Sequence, residues 1–330
     1  MEDAVSNGAS DIHFSTGGMP AYRLYGNMCF FNEAPLTNDE IDQFLAKYIS
    51  AEQYETLKRD YEIDCSVHFR NDILLRVNAF SQIKGLAVSM RVVPAAVPPL
   101  PRLGFPRAIN NLFNYRDGLI LVTGPTGSGK STTIASVIEE FNKTDTLHIV
   151  TIEDPIEYKF ESKKSLINQR EIGRNTHSYN TALRSALRED PDIIFVGEMR
   201  DIESISIALT AAETGHLVLS TLHTVGAAKT IDRLIDVFPP NQQYQIRSQL
   251  STSLRAVVSQ RLLPRKDKKG RVVAYELMYI NSAISNLIRE NKIPLINQTI
   301  QTGKSEGMIT LNMCIDNLVA EGLISQETAA

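Results

Sequence analysis

Nine consecutive residues, Gly124, Pro125, Thr126, Gly127, Ser128, Gly129, Lys130, Ser131 and Thr132, hold the Gly-x-x-x-x-Gly-Lys-Ser spacing of a phosphate-binding loop and its first helical turn. The chemistry follows from residue type. Glycines leave the backbone free to approach an anion, so successive amides converge on the β- and γ-phosphates at the positive end of the helix that follows. Lys130 supplies a point charge for the β/γ oxygens, and the Ser131 hydroxyl is placed to ligate Mg²⁺. ATP with Mg²⁺ is the expected ligand pair. A glycine-rich turn with a chance lysine is the bland alternative, and the flanking strand and helix weigh against it.

Phosphoryl transfer also requires a carboxylate to orient or deprotonate a water, and positive charge where the γ-phosphate leaves. Thr151-Ile152-Glu153-Asp154-Pro155-Ile156-Glu157 sets three carboxylates just beyond an apolar run. Asp192-Ile193-Ile194-Phe195-Val196-Gly197-Glu198 ends a second run on Glu198, which suits a carboxylate that holds Mg²⁺ through water. His216 and His223 bracket a third run and could report the γ-phosphate. A solvated acidic loop and structural histidines remain the competing readings of these segments.

Such residues need a frame. Apolar runs at 119–123, 148–152, 192–196 and 217–221 are short and rich in Val and Ile, as in strands buried on both faces, and helical spacings at 178–188 and 202–214 separate them. The pattern predicts an α/β fold with a mostly parallel sheet and the nucleotide at its carboxyl edge. Residues 1–93 read as a small α+β domain with strands near 9–14, 21–25, 73–80 and 85–93 and a helix capped at Thr37. Pro94, Pro98, Pro99, Pro101 and Pro106 then crowd a stretch predicted to be a semi-rigid linker, 94–106, leaving 107–330 as the nucleotide domain. From about Gln242 to 330 the spacing predicts helices, with stripes at Leu250/Leu254/Val257/Val258, Ile284/Leu287/Ile288 and Ile309/Met313/Leu318/Val319. A charged hairpin loop at 265–271 lies between the first two stripes.

Composition narrows the classes. The chain has 330 residues, 43% hydrophobic and 22% charged, so it is globular and long enough for two domains. No apolar run approaches the length of a membrane span, and the start lacks a signal-peptide pattern, so a cytoplasmic protein is expected. Cys29, Cys65 and Cys314 are too few and too dispersed for a disulfide framework or a four-cysteine zinc site. The net charge of −4 offers no global basic field for nucleic acid.

Taken in order, the loop, the 151–157 acidic segment, Asp192 to Asp201 and His216 to His223 resemble the Walker A, Asp box, Walker B and His box of the type II/type IV secretion ATPase superfamily. Asn168-Gln169-Arg170-Glu171, Ala182 to Asp192 and Ala211 to His216 are similar to the PilT branch, the type IV pilus retraction motors. The resemblance covers nearly the whole chain. It implies a PAS-like N-terminal domain, a RecA-like ATPase domain and a homohexameric ring at the cytoplasmic face of the inner membrane. Such a ring acts on an inner-membrane platform protein and beside other pilus ATPases, touching the membrane only through partners.

By position the resemblance makes Glu157 the catalytic base and gives Glu198 the metal. It makes Arg76 and Arg91 the arginines that the N-terminal domain brings to the γ-phosphate, and His216 and His223 the His-box pair. Related readings are pilus extension, type II secretion, a DNA-translocating RecA-type motor, or a sensor that binds ATP without turnover. Ala283 to Glu290 resembles the Ala-Ile-Arg-Asn-Leu-Ile-Arg-Glu segment of retraction motors but has Ser285 where arginine is usual, so an accessory or weakened retraction role is one expectation. The chain starts closer to Ala9-Ser10-Asp11 than the family's longer leading helix, so a trimmed start is another.

Overall fold

The computed structural model describes residues 1–330 except Tyr25, Arg70, Asn71, Asp72, Pro94, Ala95, Arg200, Lys268, Lys269 and Ala330, together with the side chain of His68. Parts of the expected second strand (Tyr25), linker (Pro94), Walker B segment (Arg200) and charged turn (Lys268, Lys269) therefore lie outside the described residues. The chain forms two compact units, Met1–Ala96 and Val97–Ala330.

The first unit runs α1 (Glu2–Ser6), β1 (Asp11–Ser15), β2 (Ala21–Leu24), β3 (Asn27–Phe30), α2 (Asn38–Tyr48), α3 (Ala51–Asp60), β4 (Glu62–Phe69), β5 (Ile73–Gln82) and β6 (Gly85–Val93). Its strands form one antiparallel sheet in the order β3-β2-β1-β6-β5-β4. Capping boxes start both longer helices, Thr37 with Glu40 and Ser50 with Gln53, so the first-turn amides are satisfied without outside partners. Ile41, Leu45 and Leu57 on these helices bury against Ile12, Leu75, Val77, Val88 and Met90 of the sheet. The period-2 alternation of β5 sends Leu75, Val77 and Ala79 inward and leaves Arg76 exposed.

The second unit places β7 (Gly118–Thr123), α4 (Lys130–Thr144), β8 (His148–Glu153), β9 (Leu166–Glu171), α5 (Tyr179–Ala186), β10 (Ile193–Val196), α6 (Ile202–Glu213), β11 (Leu217–Leu222), α7 (Ala227–Asp236) and α8 (Pro240–Ser253). It continues with β12 (Leu254–Pro264), β13 (Arg271–Tyr279), α9 (Ser282–Arg289), α10 (Ile296–Thr302), α11 (Leu311–Ala320) and α12 (Gln326–Ala329). The sheet order is β13-β12-β7-β11-β10-β8-β9, parallel throughout except for the β12–β13 hairpin. Every residue of β7 and of β11 is buried, because helices cover both faces of a parallel sheet. Among the described residues no helix is long and apolar enough to cross a membrane.

Two expectations are corrected. Leu254, Val257 and Val258 are not on a helix: they lie in β12, which extends the parallel sheet beside β7, and residues 271–279 form its hairpin partner. A strand buried on both faces has no alternation to betray it, and Leu250/Leu254 spacing fits either period. Secondly, Pro98 onward is not a spacer. Leu100, Ile109 and Leu112 enter the core of the second unit, and the Pro98 carbonyl accepts a 2.7 Å bond from Ser136 of α4. Proline removes donors, not apolar contacts, so the segment docks as short 3₁₀ turns at 100–103 and 107–114.

Candidate functional site

β7 ends at Thr123 and the chain passes through the glycine-rich loop into α4, whose N-cap is Gly129 in the left-handed region (φ 88). The loop tolerates no side chain at Gly124: φ is 145, and a Cβ would stand 2.2 Å from the Gln260 carbonyl oxygen. Gln260 of β12 braces the loop by donating from Nε2 to the Ser128 carbonyl (2.6 Å). Sequence reasoning missed Gln260 because it assigned this stretch to a helix. The available signal was a lone amide side chain ending an apolar run.

The Lys130 ammonium donates to the carbonyls of Gly124 (2.9 Å) and Pro125 (3.1 Å), so the charge is held inside the curl of the loop. Burial lowers its pKa, while the carboxylates of Glu198 and Glu157 act in the opposite direction and favour its charged form. Both acids therefore lie within electrostatic reach of the lysine. His223, just past β11, joins them: its Nδ1 is 3.5 Å from both Lys130 Nζ and Thr126 Oγ1, and its Nε2 is 3.3 Å from Glu198 Oε1. Thr132 in the first turn of α4 meets the hydroxyl of Tyr158 at 2.9 Å. Glu198, Met199, Leu222, His223 and Arg233 share a cavity of about 320 Å³ that opens beside this cluster.

His216 is not in the cluster. It precedes β11 at the sheet's amino edge, where its ring Nδ1 lies 3.1 Å from the Ala211 carbonyl at the end of α6. A six-residue strand separates it from the 223 position, a span of ~20 Å. Residues at opposite ends of one strand cannot serve one phosphate in the same chain. Arg76 and Arg91 belong to the first unit, where β5 and β6 pair them directly across from each other. Arg91 Nε is 2.9 Å from Asp11 Oδ1, and both guanidiniums line a cavity of about 150 Å³ with Asp64, Asn78 and Ser89. Like charges directly opposite repel, and Asp11 and Asp64 beside them offset that repulsion.

Glu153, at the end of β8, is buried, and that burial pushes its carboxyl up to about 7 despite hydrogen bonds from Thr151, Gln169 and the Glu157 amide. The residues present suit a phosphate. α4 opens directly from the loop at its N-cap Gly129, and Ser128 Oγ is a buried hydroxyl with no hydrogen-bond partner among the described residues. The half-buried Ser131 and the carboxylate of Glu198 are oxygen donors of the kind that Mg²⁺ takes.

A central parallel sheet with a phosphate loop at its carboxyl edge and acids on the neighbouring strands defines a RecA-like P-loop nucleotide-binding protein, here with a separate PAS-like α+β unit. The model of the type II/IV secretion system protein family matches residues 1–327, and the chain belongs to that family. It is 49% identical over 326 residues to the type IV pilus retraction ATPase PilT of Pseudomonas aeruginosa, covering 99% of this chain and 94% of that protein. It is 48% identical over 310 residues to the twitching motility protein of Neisseria gonorrhoeae, covering 94% of this chain and 83% of that protein. The crystal structure of the pilus retraction motor PilT with bound ADP superposes with a TM-score of 0.92 at 47% identity, covering 99% of this chain and 94% of that one.

Proposed function

We propose that this protein is an ATP-hydrolysing motor that powers type IV pilus retraction. It works as a homohexamer at the inner face of the inner membrane, through a membrane platform protein and alongside other pilus ATPases. The observation that carries the reading is the meeting of Lys130, Glu198 and His223 at one loop, with Glu157 within electrostatic reach, in a chain that aligns with a retraction ATPase over 99% of its length.

The loop amides bind the β- and γ-phosphates, and Lys130 exchanges its two carbonyl partners for phosphate oxygens. Ser131 and, through water, Glu198 are the residues that would hold Mg²⁺, which would neutralise charge on the phosphates. Glu157 orients and deprotonates the attacking water. Arg76 and Arg91 engage the terminal phosphate and release it after cleavage, so that nucleotide state biases the position of the first unit. His223, between Lys130 and Glu198, registers whether that phosphate is present.

The test is direct. Lys130→Ala and Glu157→Ala proteins are expected to assemble yet show no ATPase activity, and normal turnover in either would refute the assignment. Deleting the gene is expected to leave excess surface fibres; loss of fibres would instead identify an extension motor.

A further inference from the structure

The segment joining β8 to β9 carries Glu157, and its backbone is held by side chains. Gln169 of β9 grips it at two points: Oε1 accepts from the Phe160 amide (2.8 Å), and Nε2 donates to the Tyr158 carbonyl (2.9 Å). The same Nε2 lies 3.2 Å from Glu153 Oε1. Two residues along β9, on the same face, Glu171 Oε2 accepts from the Ile156 amide (3.1 Å). Glu153 itself accepts from the Glu157 amide and from the Thr151 hydroxyl, the latter at 2.7 Å. The alternate β9 residues face elsewhere, with Asn168 meeting His148 at 2.9 Å and Arg170 meeting Glu189 at 2.9 Å.

Backbone groups of residues 156, 157, 158 and 160 are thus each fixed by an acid or amide from β8 or β9. Tyr158 is fixed a second time, through its hydroxyl, to Thr132 two residues after Lys130. Glu157 is an exposed side chain mounted between two immobilised neighbours. A carboxylate that must meet a water in line with a phosphate gains from such mounting, since small misplacements of a reacting group cost large factors in rate.

We propose that Gln169 is a positioning residue for hydrolysis: by clamping Tyr158 and Phe160 it aims Glu157 at the phosphate loop, with Glu153 and Glu171 completing the mount. The proposal rests on reading Glu157 as the general base, and it gives the Gln169 position of the Asn168-Gln169-Arg170-Glu171 segment a task. Gln169 touches neither nucleotide phosphates nor water in this scheme; it acts through the loop.

A two-by-two comparison of the full-length protein tests it, using Gln169→Leu, Glu157→Gln and the double variant. The readouts are steady-state and single-turnover ATP hydrolysis plus ADP titration. Glu157→Gln is expected to lower turnover by about 10²- to 10⁴-fold. Gln169→Leu alone is expected to lower kcat by about 10- to 100-fold with KM for ATP and ADP affinity within twofold of the parent. In the Glu157→Gln background, Gln169→Leu is expected to cost less than twofold, because the group it aims is gone.

Normal turnover in Glu157→Gln would overturn the base reading. With that variant inactive, a normal kcat in Gln169→Leu, an equal loss in both backgrounds, or a loss of ADP affinity that matches the loss of rate would overturn the positioning role. Gln169→Met, which keeps the length of the side chain and removes both grips without adding a charge beside Glu153, carries the same comparison should the leucine variant fail to fold. Its expected kcat matches that of Gln169→Leu, and parental activity would overturn the positioning role.

Discussion

Glu153 shows how one residue at the site bears on stability. A glutamate in an unfolded chain titrates near 4.5, whereas burial pushes Glu153 up to about 7. Between those values the folded protein holds a proton that the unfolded chain has lost, so stability falls as pH rises through this window, and the penalty is complete above the folded value. Thermal melts are therefore expected to show Glu153→Gln gaining on the parent between pH 5 and pH 8; a constant difference would contradict the raised carboxyl. Gly124 is the second residue-scale case. With φ 145 and Gln260 O 2.2 Å from a notional Cβ, Gly124→Ala is expected to destabilise the fold by about 3 kcal/mol and abolish ADP binding. At Gly127 (φ 76) no atom lies within 4 Å of the added carbon, so Gly127→Ala is expected to cost only about 1 to 2 kcal/mol. Denaturant titration with ADP binding distinguishes the two glycines.

At the scale of elements, α9 is informative. Ile284 and Ile288 bury one face, and Ser285 donates its hydroxyl to the Ser251 carbonyl at 2.5 Å, so a group near the end of α8 gains a partner. Where the family resemblance leads to the expectation of an arginine, this chain presents a hydrogen bond between two helices. Ser285→Arg is expected to lower stability by about 1 kcal/mol through loss of that bond, with ATPase kcat unchanged. A retraction assay in cells then reads whether the restored charge strengthens the motor. β12 teaches the complementary lesson. Its apolar run was legible but its period was not, and only pairing with β7 turned Gln260 into the brace of the phosphate loop.

For the whole molecule, the proposed mechanism assigns both units to one reaction. In the first unit Arg76 and Arg91 face each other across β5 and β6, and Asp11 offsets the charge of Arg91. If the pair serves the phosphate of the motor and not the fold, Arg76→Gln is expected to leave the melting temperature unchanged or slightly raised. ADP binding to the second unit is expected to persist, while ATP turnover falls by more than 10²-fold. Retained turnover with lowered stability would assign the pair to folding instead. Calorimetry and a coupled ATPase assay on one preparation separate these outcomes.

The sequence alone determined the phosphate loop, its strand and helix, the acids at 157 and 198 and the mostly parallel sheet. Each rests on residues adjacent in the chain or on a run buried on both sides, where local pattern and tertiary role coincide. Chain order in a parallel sheet already implies that only the residue following the run reaches the carboxyl edge, which reading His216 and His223 as one pair overlooked; tertiary structure supplied the contacts of His223 with Lys130 and Glu198 and the seat of His216 at the Ala211 carbonyl. Tertiary structure alone decided that Pro98 to Asn114 docks as part of the second unit, that β9 exists, and that Gln169 and Gln260 reach the site. An amide side chain acquires a task only when another strand brings a backbone group within about 3 Å, and no spacing along the chain encodes that meeting.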